Sequence, residues 1–234
     1  MTTFKVFRFD PSKDKTSRFD TFEVPFEKGL TVLESLYYIM ENLDGSLAFR
    51  SSCRAAVCGS CAMHINGKYR LACNTQVESL GNTVTIQPLS HLPILKDMVV
   101  DLTNFFRHYE AVKPYIITNG DTPQKEYIQS PKDRRKIDVL VDCILCSACY
   151  GACPVTGSDP DYLGPHALLK ASRFIYDSRD KATKERLNLV AHSEGLFRCH
   201  TIFNCQIVCP KNLDPSAAIA KLKMKSIWKR IFPF

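Results

Sequence analysis

The stretch D-C-I-L-C-S-A-C-Y-G-A-C-P, Asp142 to Pro154, governs how the rest of the chain is read. Cys143, Cys146 and Cys149 are each separated by two residues, and Cys153 follows after three more, with Pro154 behind it. Such short spacers let three thiolates converge on one iron–sulfur cube while the intervening amides point at its sulfurs. The fourth Cys of such a run ligates a different cluster, because the chain has already turned away. Two clusters are therefore expected, with a second run to supply the missing ligands. R-C-H-T-I-F-N-C-Q-I-V-C-P at 198–210 supplies them through Cys199, Cys205 and Cys209.

Aligned on their cysteines, the two runs differ at one ligand position. The second reads C-x2-I-x2-C-x3-C-P, with Ile202 where a cysteine stands in the first. Without that thiolate the corresponding iron is not retained, so a [3Fe–4S] cluster is expected on Cys153, Cys199 and Cys205. The full [4Fe–4S] cubane then takes Cys143, Cys146, Cys149 and the crossed-over Cys209.

Upstream, S-C-R-A-A-V-C-G-S-C continues through a hairpin to Cys73. Cys53, Cys58 and Cys61 have the C-x4-C-x2-C spacing of a plant-type [2Fe–2S] site, which Cys73 completes. A four-Cys zinc site is the competing reading, and the unequal spacing followed by a hairpin disfavours it. Four, four and three ligands use all eleven cysteines. An odd cysteine count and an N-terminus without an apolar segment argue against a secreted disulfide framework.

Around these motifs the chain reads in order. Residues 2–9 and 18–24 are candidate strands joined by polar P-S-K-D-K. Thr31 and Glu34 form a capping box for a helix over about residues 32–41. Asn66-Gly67 predicts a tight hairpin between strands at 63–65 and 68–72. Residues 84–87 read as a last strand, with Pro88 and Pro93 marking the domain exit. Met98, Leu102, Phe105, Phe106 and Tyr109 predict a helix over 97–112. A polar linker spans 118–130; Ser130-Pro131 opens a helix that delivers Cys143. Further helices are expected from Gly164-Pro165, over 181–192, and from Asp214-Pro215. The tail, Lys221 to Phe234, mixes five cations with Ile227, Trp228, Phe232 and Phe234.

At 45% hydrophobic and 24% charged residues, the 234-residue chain suits a packed core, and no stretch is apolar enough to span a membrane. A net charge of +7 fits a solvated basic surface, an acidic partner or anionic lipid; no nucleic-acid partner is expected. Dinucleotide fingerprints, nucleophile elbows and acid–base constellations are absent from the sequence.

S-C-R-x3-C-G-S-C, the I-N-G hairpin, C-I-L-C-x2-C-x3-C-P, D-S-R-D at 177–180, R-C-H-x4-C and C-P-K-x2-D-P together resemble the iron–sulfur subunits of succinate dehydrogenase and quinol:fumarate reductase, respiratory complex II, over nearly the whole chain. The resemblance implies an α+β protein: an N-terminal β-grasp [2Fe–2S] ferredoxin-like domain, residues 1–105, then an all-α ferredoxin-like domain, 106–234, with the [4Fe–4S] and [3Fe–4S] clusters. It implies an electron relay from the covalent FAD of a flavoprotein partner, where the dicarboxylate chemistry resides, to quinone in a membrane anchor that often holds haem b. No catalytic residue is expected in this chain. It also implies a peripheral position on the cytoplasmic or mitochondrial matrix face of the membrane, and a quinone pocket bordered by Pro154, His200, Ile202 and Lys223. His200 and Lys223 read equally as a structural histidine and a solvated helix charge. Many ubiquinone-reducing relatives carry tryptophan shortly after the first Cys-Pro. Here that loop is V-T-G-S-D-P-D-Y and the sole tryptophan is Trp228, which leaves room for menaquinone or for a pocket elsewhere in the anchor. The same relay run as fumarate reductase, or a free multi-cluster ferredoxin, are the alternatives.

Overall fold

The computed structural model describes residues 1–118, 120 and 123–231, with side chains given to Trp228. Two compact units emerge: residues 1–102 with 144–152, and residues 103–143 with 153 onwards. The first unit thus ends at Leu102 in its main stretch and also takes the segment bearing Cys146 and Cys149.

In the first unit, β1 (Thr2–Arg8) and β2 (Arg18–Val24) pair antiparallel as the two apolar runs predict. Helix α1 (Val32–Asn42) begins at Thr31, whose hydroxyl accepts from the Glu34 amide while the Glu34 carboxylate accepts from the Thr31 amide, so the capping box forms. Strands β3 (Ala62–Ile65) and β4 (Lys68–Leu71) flank Asn66 and Gly67, both at positive φ as a tight two-residue hairpin requires. With β5 (Thr83–Gln87) they complete a sheet of order β2-β1-β5-β3-β4, in which only β1 and β5 run parallel. Phe4, Val6, Val84, Ile86 and Ile65 on the sheet, with Leu36 and Ile39 of α1, are fully buried and form its core.

β5 is not the last strand. β6 (Ile94–Lys96) and β7 (Val99–Val100) make a small hairpin where the periodicity predicts the start of a helix. Asp97 turns it at positive φ, and its carboxylate accepts from the Phe9 and Ala48 amides and from Arg8. That tertiary hydrogen bonding overrides the helical spacing of Met98 and Leu102, so α2 runs only over Thr103–Ala111.

The second unit is helical. Ser130 caps α3 (Pro131–Arg134) as expected, but the helix stops after one turn and a 3-10 turn, Val139–Asp142, leads into Cys143. The segment assigned to the first unit contains α4 (Ala148–Gly151). Pro154 opens α5 (Pro154–Ser158) where a loop is expected. Helix α6 (Gly164–Ile175) is the pivot, with Ala167, Leu168, Ala171, Phe174 and Ile175 buried as its spacing predicts. α7 (Thr183–Val190) and α9 (Pro215–Ile231) pack on it, and α8 (Asn204–Ile207) packs on α9. Asp214 caps α9 by accepting from the Ala217 amide. Cys153 and Cys199 pack against the core built from Tyr162, Leu168, Leu187, Leu196 and Leu222. Residues 119, 121 and 122 of the polar linker and Phe232 and Phe234 of the tail lie outside the described residues.

Candidate cluster sites

None of the eleven cysteines is in a disulfide. In the first unit the loop from Cys53 to Cys61 places Arg54, Ala56 and Gly59 in left-handed backbone. This alternation turns successive amides inward into an anion-binding concavity of the kind that holds iron–sulfur clusters. The amides of Ala55, Val57 and Cys58 point at Cys53 Sγ over 3.3, 3.4 and 3.3 Å, and the Cys73 amide donates to Cys61 Sγ over 3.5 Å. Hydrogen bonds from Ser60 and from the Cys53 amide pull the Cys58 thiol down to about 6, whereas burial pushes Cys61 up to about 12. The amides aimed at Cys53 and the hydrogen bonds to Cys58 suit sulfur carrying negative charge, whereas buried Cys61 opposes it.

The two later runs share a backbone signature. Leu145 and Ser147 in the first, and Thr201 and Phe203 at the equivalent places in the second, take positive φ. Each run then enters a one-turn helix, α4 or α8. A bulky residue such as Phe203 at positive φ is uncommon and marks functional strain. The two loops therefore share these backbone turns although Ile202 stands in the second where Cys146 stands in the first.

In the second unit Cys153, Cys199 and Cys205 line one pocket with Pro154, Tyr162, His200, Ile202 and Phe203. Burial pushes Cys153 up and Cys205 up to about 12, with the neighbouring thiols adding to both shifts. Bound metal would offset that cost at Cys153 and Cys205, because metal coordination deprotonates a thiol outright. Burial first, and then Cys199 and Cys153, also push Tyr162 up. Cys143 and Cys209, from different runs, pack together on Leu169, Leu213 and Ala218. Among the described residues no three His, Cys, Asp or Glu side chains gather to hold one metal ion. A cluster does not need that, since its ligands are shared among several irons.

Pro154, His200 and Ile202 come together at the mouth of the pocket, all three exposed. Lys223 does not line it. Its ammonium donates to the Cys199 carbonyl over 2.8 Å, so it is a bonded, half-buried group rather than a solvated helix charge. Sequence reading missed Tyr162; the only signal was its place eight residues after Cys-Pro, which no spacing rule marks.

The fold and the thiol loops define a multi-cluster iron–sulfur electron carrier. A family model for a 2Fe-2S iron-sulfur cluster binding domain matches residues 3–107, and one for a 4Fe-4S dicluster domain matches residues 140–213. The chain is 47% identical over 222 residues to the succinate dehydrogenase iron-sulfur subunit of Paracoccus denitrificans, covering 94% of this chain and 86% of that one. It is 42% identical over 228 residues to the subunit of the same name from Coxiella burnetii, covering 96% and 97%. It superposes on a chain of the Mycobacterium smegmatis Sdh1 complex in the apo form with a TM-score of 0.87, at 23% identity and over 100% and 98% of the two chains, a likeness of fold. The chain belongs to the family of succinate dehydrogenase iron–sulfur subunits. Its ferredoxin-like [2Fe–2S] domain precedes its helical [4Fe–4S] domain, as the sequence predicts.

Proposed function

We propose that this chain relays electrons from the FAD of a flavoprotein subunit to quinone held by a membrane anchor. The ligand sets are Cys53, Cys58, Cys61 and Cys73 for [2Fe–2S]; Cys143, Cys146, Cys149 and Cys209 for [4Fe–4S]; and Cys153, Cys199 and Cys205 for [3Fe–4S]. The first set belongs to a functional region at 1–105 and the others to 106–234. The clusters supply one-electron exchange; the chain's own residues position, insulate and hydrogen-bond. The observation that carries this reading is that thiols from two separate runs, Cys153 on one side and Cys199 and Cys205 on the other, share one pocket.

Pro154, His200 and Ile202 border the quinone at the mouth of that pocket. The exposed His200 imidazole donates a hydrogen bond to a quinone oxygen or passes it a proton. Lys223 fixes the Cys199 carbonyl and places a cation beside the ligand loop. Among the described residues no helix is long and apolar enough to cross a membrane. The chain is held at the cytoplasmic or matrix face by the anchor and by the exposed Met224, Ile227 and Trp228 of α9.

The test is electron paramagnetic resonance of the purified complex. The air-oxidised sample should show a [3Fe–4S] signal, and its absence from a fully metallated sample defeats the ligand assignment. Ile202→Cys should replace that signal with a [4Fe–4S] centre. His200→Ala should keep all three clusters and slow only quinone reduction; unchanged quinone turnover would make His200 structural.

A further inference from the structure

Gly59, between Cys58 and Cys61, has a φ of +74°. Left-handed backbone alone does not demand glycine in this loop, because Arg54 at 56° and Ala56 at 55° adopt it with side chains. What sets Gly59 apart is its neighbour. A Cβ there would stand 2.8 Å from both Cα and Cβ of Cys146 and 2.9 Å from the Ile144 carbonyl oxygen. Carbon atoms in good contact sit about 3.5–4.0 Å apart, and none of these three atoms is the tip of a flexible side chain that can swing away. Gly67, at +76°, has nothing within 4 Å. Farther along the same segment, a Cβ on Gly151 would lie 3.1 Å from the Tyr69 ring and 3.3 Å from the Ser90 carbonyl oxygen, so α4 also packs closely on Tyr69 of β4 and on Ser90.

We infer that Gly59 is a positioning residue: it lets the [2Fe–2S] loop rest directly on Cys146, and electrons leave the first cluster for the second across this contact. This rests on the ligand assignment proposed above. One electron crosses from the reduced [2Fe–2S] cluster to the oxidised [4Fe–4S] cluster, with no proton moved and no bond made or broken. Electron tunnelling falls steeply with separation, and the Cys58–Gly59 peptide against the Cys146 backbone gives a short, packed route. A methyl group at residue 59 has to push the Cys146 segment away.

The experiment compares the intact complex carrying Gly59→Ala with wild type and with Gly67→Ala, which adds the same methyl at a matching φ in open space. Power saturation of the reduced [2Fe–2S] resonance is recorded with the [4Fe–4S] cluster oxidised and then reduced. In wild type and Gly67→Ala, reducing the second cluster should speed relaxation of the first. In Gly59→Ala the [2Fe–2S] resonance should persist while that enhancement falls or the [4Fe–4S] resonance shifts or disappears. Gly59→Ala spectra that match wild type overturn the inference, and so does equal damage from Gly67→Ala. If Gly59→Ala does not assemble, the wild-type complex decides: relaxation of the first cluster that ignores the state of the second overturns it, and enhancement supports it. A wild-type complex that lacks either resonance refutes the ligand assignment itself.

Discussion

Arg8 lies on the inward face of β1 at 4% exposure, where an alternating strand pattern places an apolar side chain. Its Nε donates to Asp97 over 3.1 Å and Nη1 lies 3.4 Å from Asp20; Asp44 and Ser46 complete the cage. The guanidinium thereby ties β1 to β2, to the end of the α1 loop and to the β6–β7 turn. Arg8→Met should destabilise the first unit by about 3 kcal/mol, the low end for breaking a buried ion pair. The low end applies because Asp97 keeps the Phe9 and Ala48 amides. Hydrogen bonds from Ser46 and then Arg8 hold the Asp44 carboxyl well below the usual carboxylate range. A depressed folded pKa stabilises fully above the unfolded value of about 3.9 and is lost as pH falls through the folded one. The urea midpoint for loss of [2Fe–2S] absorbance should therefore drop on acidification below about pH 4, and drop less in Arg8→Met. An identical acid response in the two proteins would show that Arg8 is not part of the Asp44 linkage.

At the scale of the element, the D-S-R-D segment and α7 form a clamp. Arg186 and Asp180 have side chains with no solvent exposure, joined by Nε over 3.1 Å and Nη2 over 2.7 Å. Arg186 also donates to the carbonyls of Val112, Lys113 and Tyr115, and Asp180 accepts from the Ile117 and Ala182 amides. Segment 112–117, which follows α2 without regular structure, is thus held by side chains of α7 and its approach. Arg186→Met should cost about 3–5 kcal/mol by stranding the Asp180 charge and three carbonyls. Thermal loss of the [3Fe–4S] resonance would register it. Pairing it with Asp180→Asn should cost less than the sum of the two single changes, since the residues share one network. Strict additivity would rule out the clamp.

At the scale of the whole molecule, α9 runs from the cysteine pocket to the surface proposed above for attachment. Ile219 lines the pocket and Lys223 holds Cys199. One turn further on, Ile227 and Trp228 are exposed at 47% and 59%, with Met224 at 62%. Apolar side chains interleaved with lysines are suited to a membrane interface or to an apolar partner beside it. Ending the chain after Lys225 should release the flavin and iron–sulfur subunits from membranes while succinate oxidation with an artificial acceptor persists. Equal membrane retention would assign attachment to other surfaces.

Elements whose information is local were legible from the residues alone. Thiol spacing identified the three cluster motifs, the Thr31–Glu34 box started α1, Asn66-Gly67 turned β3 into β4, and Pro165 and Pro215 opened the two longest helices of the second unit. Each depends on residues within a few positions of one another, so spacing and propensity suffice. Tertiary structure decided what depends on residues far apart in the chain. Asp97, bonded to Arg8, Phe9 and Ala48, converts a helical periodicity into a hairpin. Lys223 passes from apparent surface charge to bonded partner of Cys199 because α9 passes beside a loop 24 residues earlier. The segment with Cys146 and Cys149 joins the first unit, although it lies 42 residues beyond Leu102 in sequence. No local pattern records which distant backbone will touch Gly59, since a glycine needed for close packing and one needed for a turn read alike until the neighbour is in place.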